Sequence, residues 1–312
     1  MHDSPTSYSR PAPGQLLIVD GHCFAYRAFF GIAGLTSPSG QPTNAIYGFI
    51  RMLSKMRDRL RPSHLLVVWD GGLAADRMAL LPEYKAQRAE MPAGLRPQLD
   101  QIIQYLRAAS VFSWAKDGCE ADDCIAAVTA QAVAAGLPVV IASSDKDFMQ
   151  LVSAPVKLLI PHDKSETLWD AAQVSRKTGV EPAQFVDWLS LVGDAVDNIP
   201  GVRGVGPKTA SDLLRQFGSV DVLYRRLSEV RSDRLRAGLL EAEALVRRNQ
   251  QLVRLKNDMR CDFSLEDLAA KEADARELRQ LFSGWGFKNL LAGLEETLLK
   301  TQDLFHEHAH AT

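Results

Sequence analysis

Acidic side chains close several of the apolar runs in the first two thirds of this 312-residue chain. Asp20 ends one such run and Asp70 follows another. The full set is Asp20, Asp70, Glu120, Asp122, Asp123, Asp145, Asp147, Asp194 and Asp197. A single acid after a strand is usually a turn former or a helix cap, but capping does not require the close pairs in this set. The pattern therefore predicts a site built from carboxylates.

Carboxylates gathered in one place repel one another unless cations neutralise them. Short β-rich runs separated by helical segments predict a parallel sheet, and such sheets keep their sites at the carboxyl ends of the strands. Oxygen ligands without matched His or Cys favour Mg²⁺, with Mn²⁺ as an alternative. Two such ions about 4 Å apart clamp a phosphodiester for in-line attack by water. We therefore predict a site with two divalent metal ions that acts on a phosphodiester.

The net charge of the chain is −2, but its acidic and basic side chains are unevenly distributed. When the nine acids are set aside, the remaining acidic side chains are outnumbered by 36 Lys and Arg side chains. A metal-neutralised acidic centre within a basic shell suits an enzyme that cuts a polyanion. The four cysteines lack zinc spacing, which indicates reduced thiols in a cytosolic protein, and no run approaches the length of a membrane span.

The elements that must position these acids follow from the hydrophobic pattern. Strands are predicted at 15–20, 64–69, 110–114, 138–142 and 156–160. Helices are predicted at 43–60, 97–109, 120–135, 144–151 and 182–192. Beyond them, the pattern predicts only helices, at 207–217, 219–228, 232–249 and 274–283. The fold class is therefore α/β, with a mainly parallel sheet flanked by helices and a C-terminal helical subdomain.

This pattern divides the chain into four parts. They are a disordered tail at 1–14, an α/β core at 15–180, a helical subdomain at 181–300 and a flexible tail at 301–312. The last part carries three histidines in a polar setting, which indicates a mobile end rather than a metal site.

The segment 71–96 is long for a connection between a strand and the next helix. Pro82 and Pro92 interrupt it, and Pro97 directly follows it. Its basic and aromatic side chains are Arg77, Tyr84, Lys85, Arg88 and Arg96. Basic residues beside an aromatic one, directly after an acid-bearing strand, favour a nucleic-acid clamp over a solvated surface excursion.

A Gly-rich stretch at 201–209 follows directly after Asp194 and Asp197. Its glycines let the backbone approach a phosphate, and Pro207 suits the first position of a helix whose N-terminus attracts anions. Lys208 adds a positive charge. The stretch is not a Walker A loop because no strand precedes it and its spacing differs. A simple turn is the alternative, but the position next to the acids favours a phosphate contact.

With these residues assembled, the chain resembles the 5′-3′ exonuclease/flap endonuclease family, which includes the N-terminal nuclease domain of bacterial DNA polymerase I. The resemblance covers 15–300. The motifs that carry it are LLIVDGHCFAYRAF (16–29), TSPSGQPTNAIYGF (36–49), VVWDG (67–71), EYKAQR (83–88), GCEADD (118–123), SSDKDF (143–148) and GDAVDNIPGVRGVGPKTA (193–210). Each motif is modest alone, but their order and spacing are specific.

The resemblance implies a PIN-like nuclease core, a helical arch over the site and a helix–three-turn–helix that grips duplex DNA. It assigns the ligands of one metal to Asp20, Asp70, Glu120 and Asp122. It assigns those of the second metal to Asp145, Asp147 and Asp197, with Asp123 and Asp194 close by, partly through water.

The resemblance also assigns substrate-binding roles. Lys85 and Arg88 match residues that steer the scissile phosphate, and Tyr84 matches an aromatic that stacks on the terminal base. Arg27 and Arg77 match phosphate-contacting arginines, although Asp76 stands where the family usually has an aromatic. The duplex-gripping hairpin, where the family can also hold K⁺ on backbone carbonyls, is matched by Gly204, Gly206, Lys208 and Thr209.

The expected function is that of a stand-alone, monomeric, structure-specific 5′ nuclease in the cytoplasm, associated with the nucleoid. It would cut 5′ flaps and degrade DNA or RNA primers from 5′ ends with Mg²⁺, in primer removal and repair alongside a DNA polymerase. The rival predictions are a catalytically weak branched-DNA-binding module and a related metal-dependent ribonuclease. The complete set of acids argues against the first, and the hairpin at 201–209 argues against the second.

Overall fold

A computed structural model describes residues 14–161 and 167–309 of the chain. The strands in these ranges are β1 Leu16–Asp20, β2 His64–Val68, β3 Phe112–Trp114, β4 Val139–Ala142, β5 Val156–Leu159 and β6 Leu168–Trp169. They form one sheet in the order β3-β2-β1-β4-β5-β6, parallel except for β6, which pairs antiparallel with β5. The predicted mainly parallel sheet is confirmed.

The centre of the sheet is buried on both faces, so its strands are continuous runs of Leu, Ile and Val rather than alternating patterns. Side chains of β1 point alternately into two cores: Leu16 and Ile18 into one, Leu17 and Val19 into the other. Because β1, β2 and β4 run parallel, their carboxyl ends lie at one edge of the sheet. That edge is where the acids after these strands must meet.

Helices cover both faces of the sheet. In the α/β part of the chain they are α1 Gly21–Gly31, α2 Asn44–Leu60, α3 Ala75–Leu80, α4 Arg96–Ala108, α5 Ala121–Ala134 and α6 Ala171–Thr178. A 3₁₀ turn at Lys146–Leu151 replaces the α-helix predicted at 144–151. The pattern predicts neither α1 nor α3. Aromatic residues crowd α1 and blur its period, and α3 lies within the segment expected to be an irregular clamp.

The C-terminal part is helical, as predicted. Its helices are α7 Phe185–Val192, α8 Pro207–Phe217, α9 Val220–Arg225, α10 Asp233–Glu241, α11 Glu243–Val253, α12 Ala275–Trp285 and α13 Lys288–Ala309. Short 3₁₀ turns lie at Pro182–Gln184, Leu227–Glu229 and Leu265–Leu268. Residues from α7 to α11 enclose a small core of their own.

The last two helices leave this small core and pack on the α/β core. Phe282 of α12 stacks on Tyr105 of α4 with ring centroids 6.2 Å apart, and Trp285 Nε1 donates to Gln101 Oε1. The expected single subdomain at 181–300 is therefore divided between two cores. The backbone is helical through Ala309, so the tail expected from 301 begins within α13, whereas 1–13 and 310–312 lie outside the described residues. None of the described helices is long and apolar enough to cross a membrane.

Candidate active site

A cleft of about 1750 Å³ opens at the carboxyl edge of the sheet. Carboxylates line one part of it, namely Asp20, Asp70, Asp122, Asp145, Asp194 and Asp197. Cationic side chains line the rest, among them Arg27, Arg51, Lys85, Arg88 and Arg96. The structure thus brings together most of the predicted acids, and it places Arg27, Arg88 and Arg96 in the same cleft.

Three carboxylates are close enough to hold one ion. Oxygens of Asp147, Asp194 and Asp197 lie within 4.8 Å of one another. Asp147 Oδ1 is buried and has no hydrogen-bond partner among the described residues, which is costly for a carboxylate oxygen. An oxygen-only donor set with an unsatisfied buried oxygen is what a hard divalent cation prefers. These residues therefore fit a divalent metal ion.

Two further acids are oriented by the turns they cap. Asp20 Oδ1 accepts from the Cys23 N–H at 3.0 Å, and Ser143 Oγ donates to Asp20 Oδ2 at 2.7 Å. Asp145 Oδ1 accepts from the Asp147 N–H at 2.8 Å. Each side chain caps the helical turn that follows its strand, so the backbone fixes its position before any ion binds.

The acids raise one another's pKa. Burial, followed by charges that include Asp145, raises the pKa of Asp20 to about 6. Burial and the charges of Asp145 and Asp20 hold the pKa of Asp122 well above its ordinary value, and burial with Asp145 does the same for Asp147. Carboxylates that compete in this way are unfavourable when all are ionised, and a bound cation would relieve the repulsion.

Asp194 and Asp197 lie on a loop whose two ends touch. Asp194 and Ile199 exchange backbone hydrogen bonds at 2.8 and 2.7 Å. At the base of the loop a Cβ on Gly193 would lie 2.3 Å from the Gly201 nitrogen, and Gly193 has a φ of +80°. Only glycine tolerates both the contact and the conformation. Gly201, first of the Gly-rich stretch, therefore closes the acid-bearing loop.

The turn at 83–88 places two cations over the acids. Lys85 Nζ contacts Glu120 Oε2 and lies 3.8 Å from Asp197 Oδ2, and Arg88 Nη2 donates to Asp197 Oδ1 at 2.9 Å. Burial opposes the charge on Lys85, but Asp197 and Glu120 outweigh it and raise the pKa of Lys85. Burial likewise opposes the charge on Glu120, but Lys85 lowers the pKa of Glu120. Both groups stay charged.

Tyr84 does not occupy the predicted stacking position. The residue is only 3% exposed and belongs to the same buried cluster as Leu81 and Trp114. Its hydroxyl donates to Glu120 Oε2 at 3.1 Å. An enclosed ring cannot stack on a nucleobase, so Tyr84 orients Glu120 instead.

The assignments of Arg77 and Asp123 are corrected as well. Arg77 Nη1 and Nη2 donate to Asp123 Oδ2 and Oδ1 at 2.9 and 2.8 Å, and each residue is 2% exposed. Arg77 therefore does not face the cleft where DNA would bind, and Asp123 does not join the acids that line that cleft. Asp76, the departure from the family pattern, pairs at the surface with Lys256 Nζ at 2.6 Å.

Two contributors escaped prediction. Asn198 has a left-handed backbone with φ +59°, its Nδ2 donates to the Glu83 carbonyl at 2.8 Å, and its Oδ1 accepts from Gln87 Nε2 at 2.8 Å. It thereby joins the acid-bearing loop to the turn at 83–88. Lys146 Nζ pairs with Asp194 Oδ1 at 2.7 Å. The Asp-Asn turn at 197–198 is a sequence signal for the left-handed residue.

The predicted hairpin lies at the start of α8, outside the residues that line the cleft. Gly206 caps α8 without a side-chain hydrogen bond, and Lys208 is exposed in the first turn. Gly204 has a φ of +82°, which allows the tight turn before the helix. Thr209, also predicted, is half-buried beside them. The arrangement presents helix N–H groups and one cation to solvent.

Two family models match consecutive parts of the chain. The model described as 5′-3′ exonuclease, N-terminal resolvase-like domain, matches residues 15–179. The model described as 5′-3′ exonuclease, C-terminal SAM fold, matches residues 180–276.

Similar proteins include the 5′-3′ exonuclease of Aquifex aeolicus (strain VF5), 37% identical over 281 residues that make up 90% of this chain and 95% of that protein. DNA polymerase I of Bacillus caldotenax is 35% identical over 283 residues, 90% of this chain but only 32% of that protein. This chain thus spans about a third of the length of that polymerase.

Solved structures have the same fold. T5 5′-exonuclease with bound divalent metal ions (zinc) matches with a TM-score of 0.64 and 22% identity over 92% of this chain and 98% of that one. The catalytic core of Rad2 in complex with DNA substrate matches with a TM-score of 0.59 and 16% identity over 88% of each chain.

Proposed function

Because the chain belongs to the 5′-3′ exonuclease family, we propose that it hydrolyses phosphodiester bonds at the 5′ ends and 5′ flaps of DNA in a metal-dependent reaction. The observation that carries this proposal is the cluster of acids at the sheet edge, faced by Lys85 and Arg88 across one cleft. A wide cleft with opposed acids and cations suits a charged polymer rather than a small molecule.

We assign the acids to two ions, with Mg²⁺ as the metal and Mn²⁺ as a substitute. Asp147, Asp194 and Asp197 would hold one ion, joined by Asp145. Asp20, Asp70 and Asp122 would hold the other, with Glu120 as a further ligand. Bound there, the ions would lower the pKa of the attacking water and neutralise charge on the phosphate.

We further propose that the chain's own cations bind the phosphate and stabilise the transition state. Lys85 forms an ion pair with Glu120, and Arg88 forms one with Asp197. The Arg88 side chain is 42% exposed and lines the cleft. A phosphate entering the cleft offers these donors a second anionic partner, and charge-assisted hydrogen bonds to it are strong. Donors placed where negative charge develops stabilise the transition state more than the ground state.

The direct test is cleavage of a 5′-labelled flap duplex by the purified chain, with Mg²⁺ or with EDTA. We expect short 5′ products in Mg²⁺ and none in EDTA. Tight flap binding without cleavage in Mg²⁺ or Mn²⁺ would instead support a branched-DNA-binding module. Cleavage of single-stranded RNA but not of the DNA flap would indicate a ribonuclease.

The hairpin before α8 is our proposed grip on the duplex, where backbone carbonyls could also hold K⁺. Lys208→Ala is expected to weaken duplex binding and to lower the slope of log K against log salt by about 0.9, the value of one phosphate contact. The reason is the place of Lys208 beside the exposed N-terminus of α8. Fluorescence anisotropy across a salt series, with Ca²⁺ in place of Mg²⁺, measures both quantities.

Arg215→Ala is the matched control for Lys208→Ala. It removes a cation from the same helix, but from the last turn and from a pair with Asp212. We expect it to leave the slope unchanged. If Lys208→Ala also leaves the slope unchanged, the hairpin does not contact the duplex.

We further propose that the protein acts in primer removal and repair with a DNA polymerase, since its relatives include DNA polymerase I. Its substrates would then include RNA–DNA hybrids. We expect it to act as a monomer in the cytoplasm, at the nucleoid.

A further inference from the structure

Arg77 and Asp123 form a buried ion pair beside the candidate active site, outside the residues that line its cleft. Arg77 lies on α3 and Asp123 in the first turn of α5. Two parallel hydrogen bonds join the guanidinium to both carboxylate oxygens, at 2.9 and 2.8 Å. Such a fork fixes the relative orientation of both side chains.

The same guanidinium reaches the candidate metal-binding acid Glu120. Arg77 Nη1 lies 3.4 Å from Glu120 Oε2, the oxygen that also contacts Lys85 Nζ. Glu120 Oε1 accepts the backbone N–H of Ala74, which directly precedes α3. Arg77 therefore borders the carboxylate on which both the phosphate-facing Lys85 and one proposed ion depend.

The pair also holds the chain at the end of α11. Arg77 Nε donates to the Leu252 carbonyl at 3.0 Å and Nη2 donates to the Arg254 carbonyl at 3.2 Å. Asp123 Oδ1 accepts the Lys256 N–H at 2.9 Å. Earlier in α11, Asn249 Nδ2 donates to the Pro200 carbonyl at 2.7 Å, at the base of the loop that carries Asp194 and Asp197.

We propose that the Arg77–Asp123 pair positions two parts of the active site. It fixes the orientation of the Glu120 carboxylate, and it holds the end of α11, and through α11 the Asp194–Asp197 loop, in a fixed position relative to Glu120. The proposal rests on the proposed nuclease function. Neither side chain touches the substrate, because both are enclosed by protein. Their effect is exerted through Glu120 and through the loop.

The test separates positioning from mere stability. Arg77→Met leaves Asp123 buried without its partner, and breaking a buried pair in this way strongly destabilises a protein. The double variant Arg77→Met/Asp123→Asn removes both charges and keeps an acceptor for the Lys256 N–H, so we expect it to fold, with a melting temperature well above that of Arg77→Met although it loses the hydrogen bonds to the Leu252 and Arg254 carbonyls.

We expect the folded double variant to bind Ca²⁺ about 10–100-fold more weakly by calorimetry and to show a similar fall in single-turnover cleavage, since outer partners of metal ligands have effects of this size. Flap affinity in Ca²⁺-saturated buffer should stay unchanged. Arg77→Lys keeps the charge but loses the two parallel hydrogen bonds to Asp123. We expect its single-turnover cleavage rate to lie between those of the double variant and the wild type. Lys256→Met removes only the exposed pair with Asp76 and should behave as wild type.

A double variant with wild-type Ca²⁺ affinity and wild-type cleavage would overturn the proposal and leave the pair a purely structural role. A lower flap affinity with a reduced salt slope would overturn it in favour of a direct phosphate contact by Arg77. The nuclease function is judged separately, by wild-type cleavage, whereas the Ca²⁺ calorimetry tests the positioning role even if the flap is not the substrate.

Discussion

Asp147→Asn is expected to lower flap cleavage in Mg²⁺ by about 10³-fold or more, because a metal ion contributes several kcal/mol and each 1.36 kcal/mol is tenfold in rate. The variant should at the same time be more stable than the wild type in EDTA at neutral pH. Asp147 is buried among like charges, and no donor within 14–161 or 167–309 reaches its Oδ1. An amide removes one charge from this cluster and offers an N–H to the neighbouring carboxylates.

The gain in stability has a defined pH dependence. Burial and Asp145 raise the pKa of Asp147 in the folded protein, so ionised Asp147 disfavours the fold at neutral pH without metal. As the pH falls towards the ordinary value of 3.8, Asp147 takes up a proton and the difference from Asn disappears. The melting temperatures of the two proteins in EDTA should therefore converge in acid.

Single-turnover cleavage and thermal melts of the same samples measure both effects of Asp147→Asn. Asp233→Asn is the control, because Asp233 is an exposed carboxylate paired with Arg236 on α10, away from the cleft. It should change neither quantity appreciably. Full cleavage by Asp147→Asn in Mg²⁺ would remove Asp147 from the metal site.

The position of the acids was predictable because topology enforces it. Parallel strands place their carboxyl ends at one edge, so an acid after β1, β2 or β4 must lie near the others whatever the loops do. Asp20 and Asp145 needed no further information. Asp194 was picked out by its place after an apolar run, but sheet topology alone could not position it, since its loop follows a helix and is closed by a contact between Gly193 and Gly201.

The roles of Arg77, Tyr84 and Asp123 were not predictable from the sequence. An arginine in a basic segment has the same local pattern whether it faces DNA or a buried carboxylate, and only packing decides which. Here α3 turns Arg77 inwards to Asp123, and the end of α11 covers the pair. The segment 71–96 is consequently not a simple surface excursion. Its middle is part of the core, and both its ends lie at the cleft, with the basic side chains of Arg88 and Arg96 at the second end.

Lys85 is held in a way that favours action late in the reaction. Its backbone is left-handed with φ +56°, its side chain is 2% exposed, and its charge is shared between Glu120 and Asp197. A non-glycine residue in that conformation persists only when its surroundings enforce it. The Lys85 N–H donates to the Asp197 carbonyl at 3.1 Å, and Asn198 binds the same turn, so the surroundings do enforce it. The cation is thus placed in advance beside the acids.

Lys85→Ala is therefore expected to lower single-turnover cleavage by about 10²–10³-fold, the loss found when one preorganised donor to developing charge is removed. Flap affinity in Ca²⁺ should change by less than about threefold, because a single contact among many phosphate contacts contributes little to binding. Lys85→Arg should keep part of the rate, since it retains the charge but not the compact ammonium geometry. Rapid-quench cleavage and anisotropy measure the two quantities.

Lys157→Ala serves as the control for Lys85→Ala, because it removes an exposed lysine of β5 that does not line the cleft. A fall in affinity as large as the fall in rate would show that Lys85 binds substrate and transition state alike. A rate equal to that of the wild type would remove Lys85 from the reaction and leave Arg88 as the cation that faces the phosphate. If Lys85→Ala lowers the rate but not the affinity, the reaction explains why Lys85 is buried. A cation that is already desolvated and oriented needs no reorganisation when negative charge develops on the phosphate.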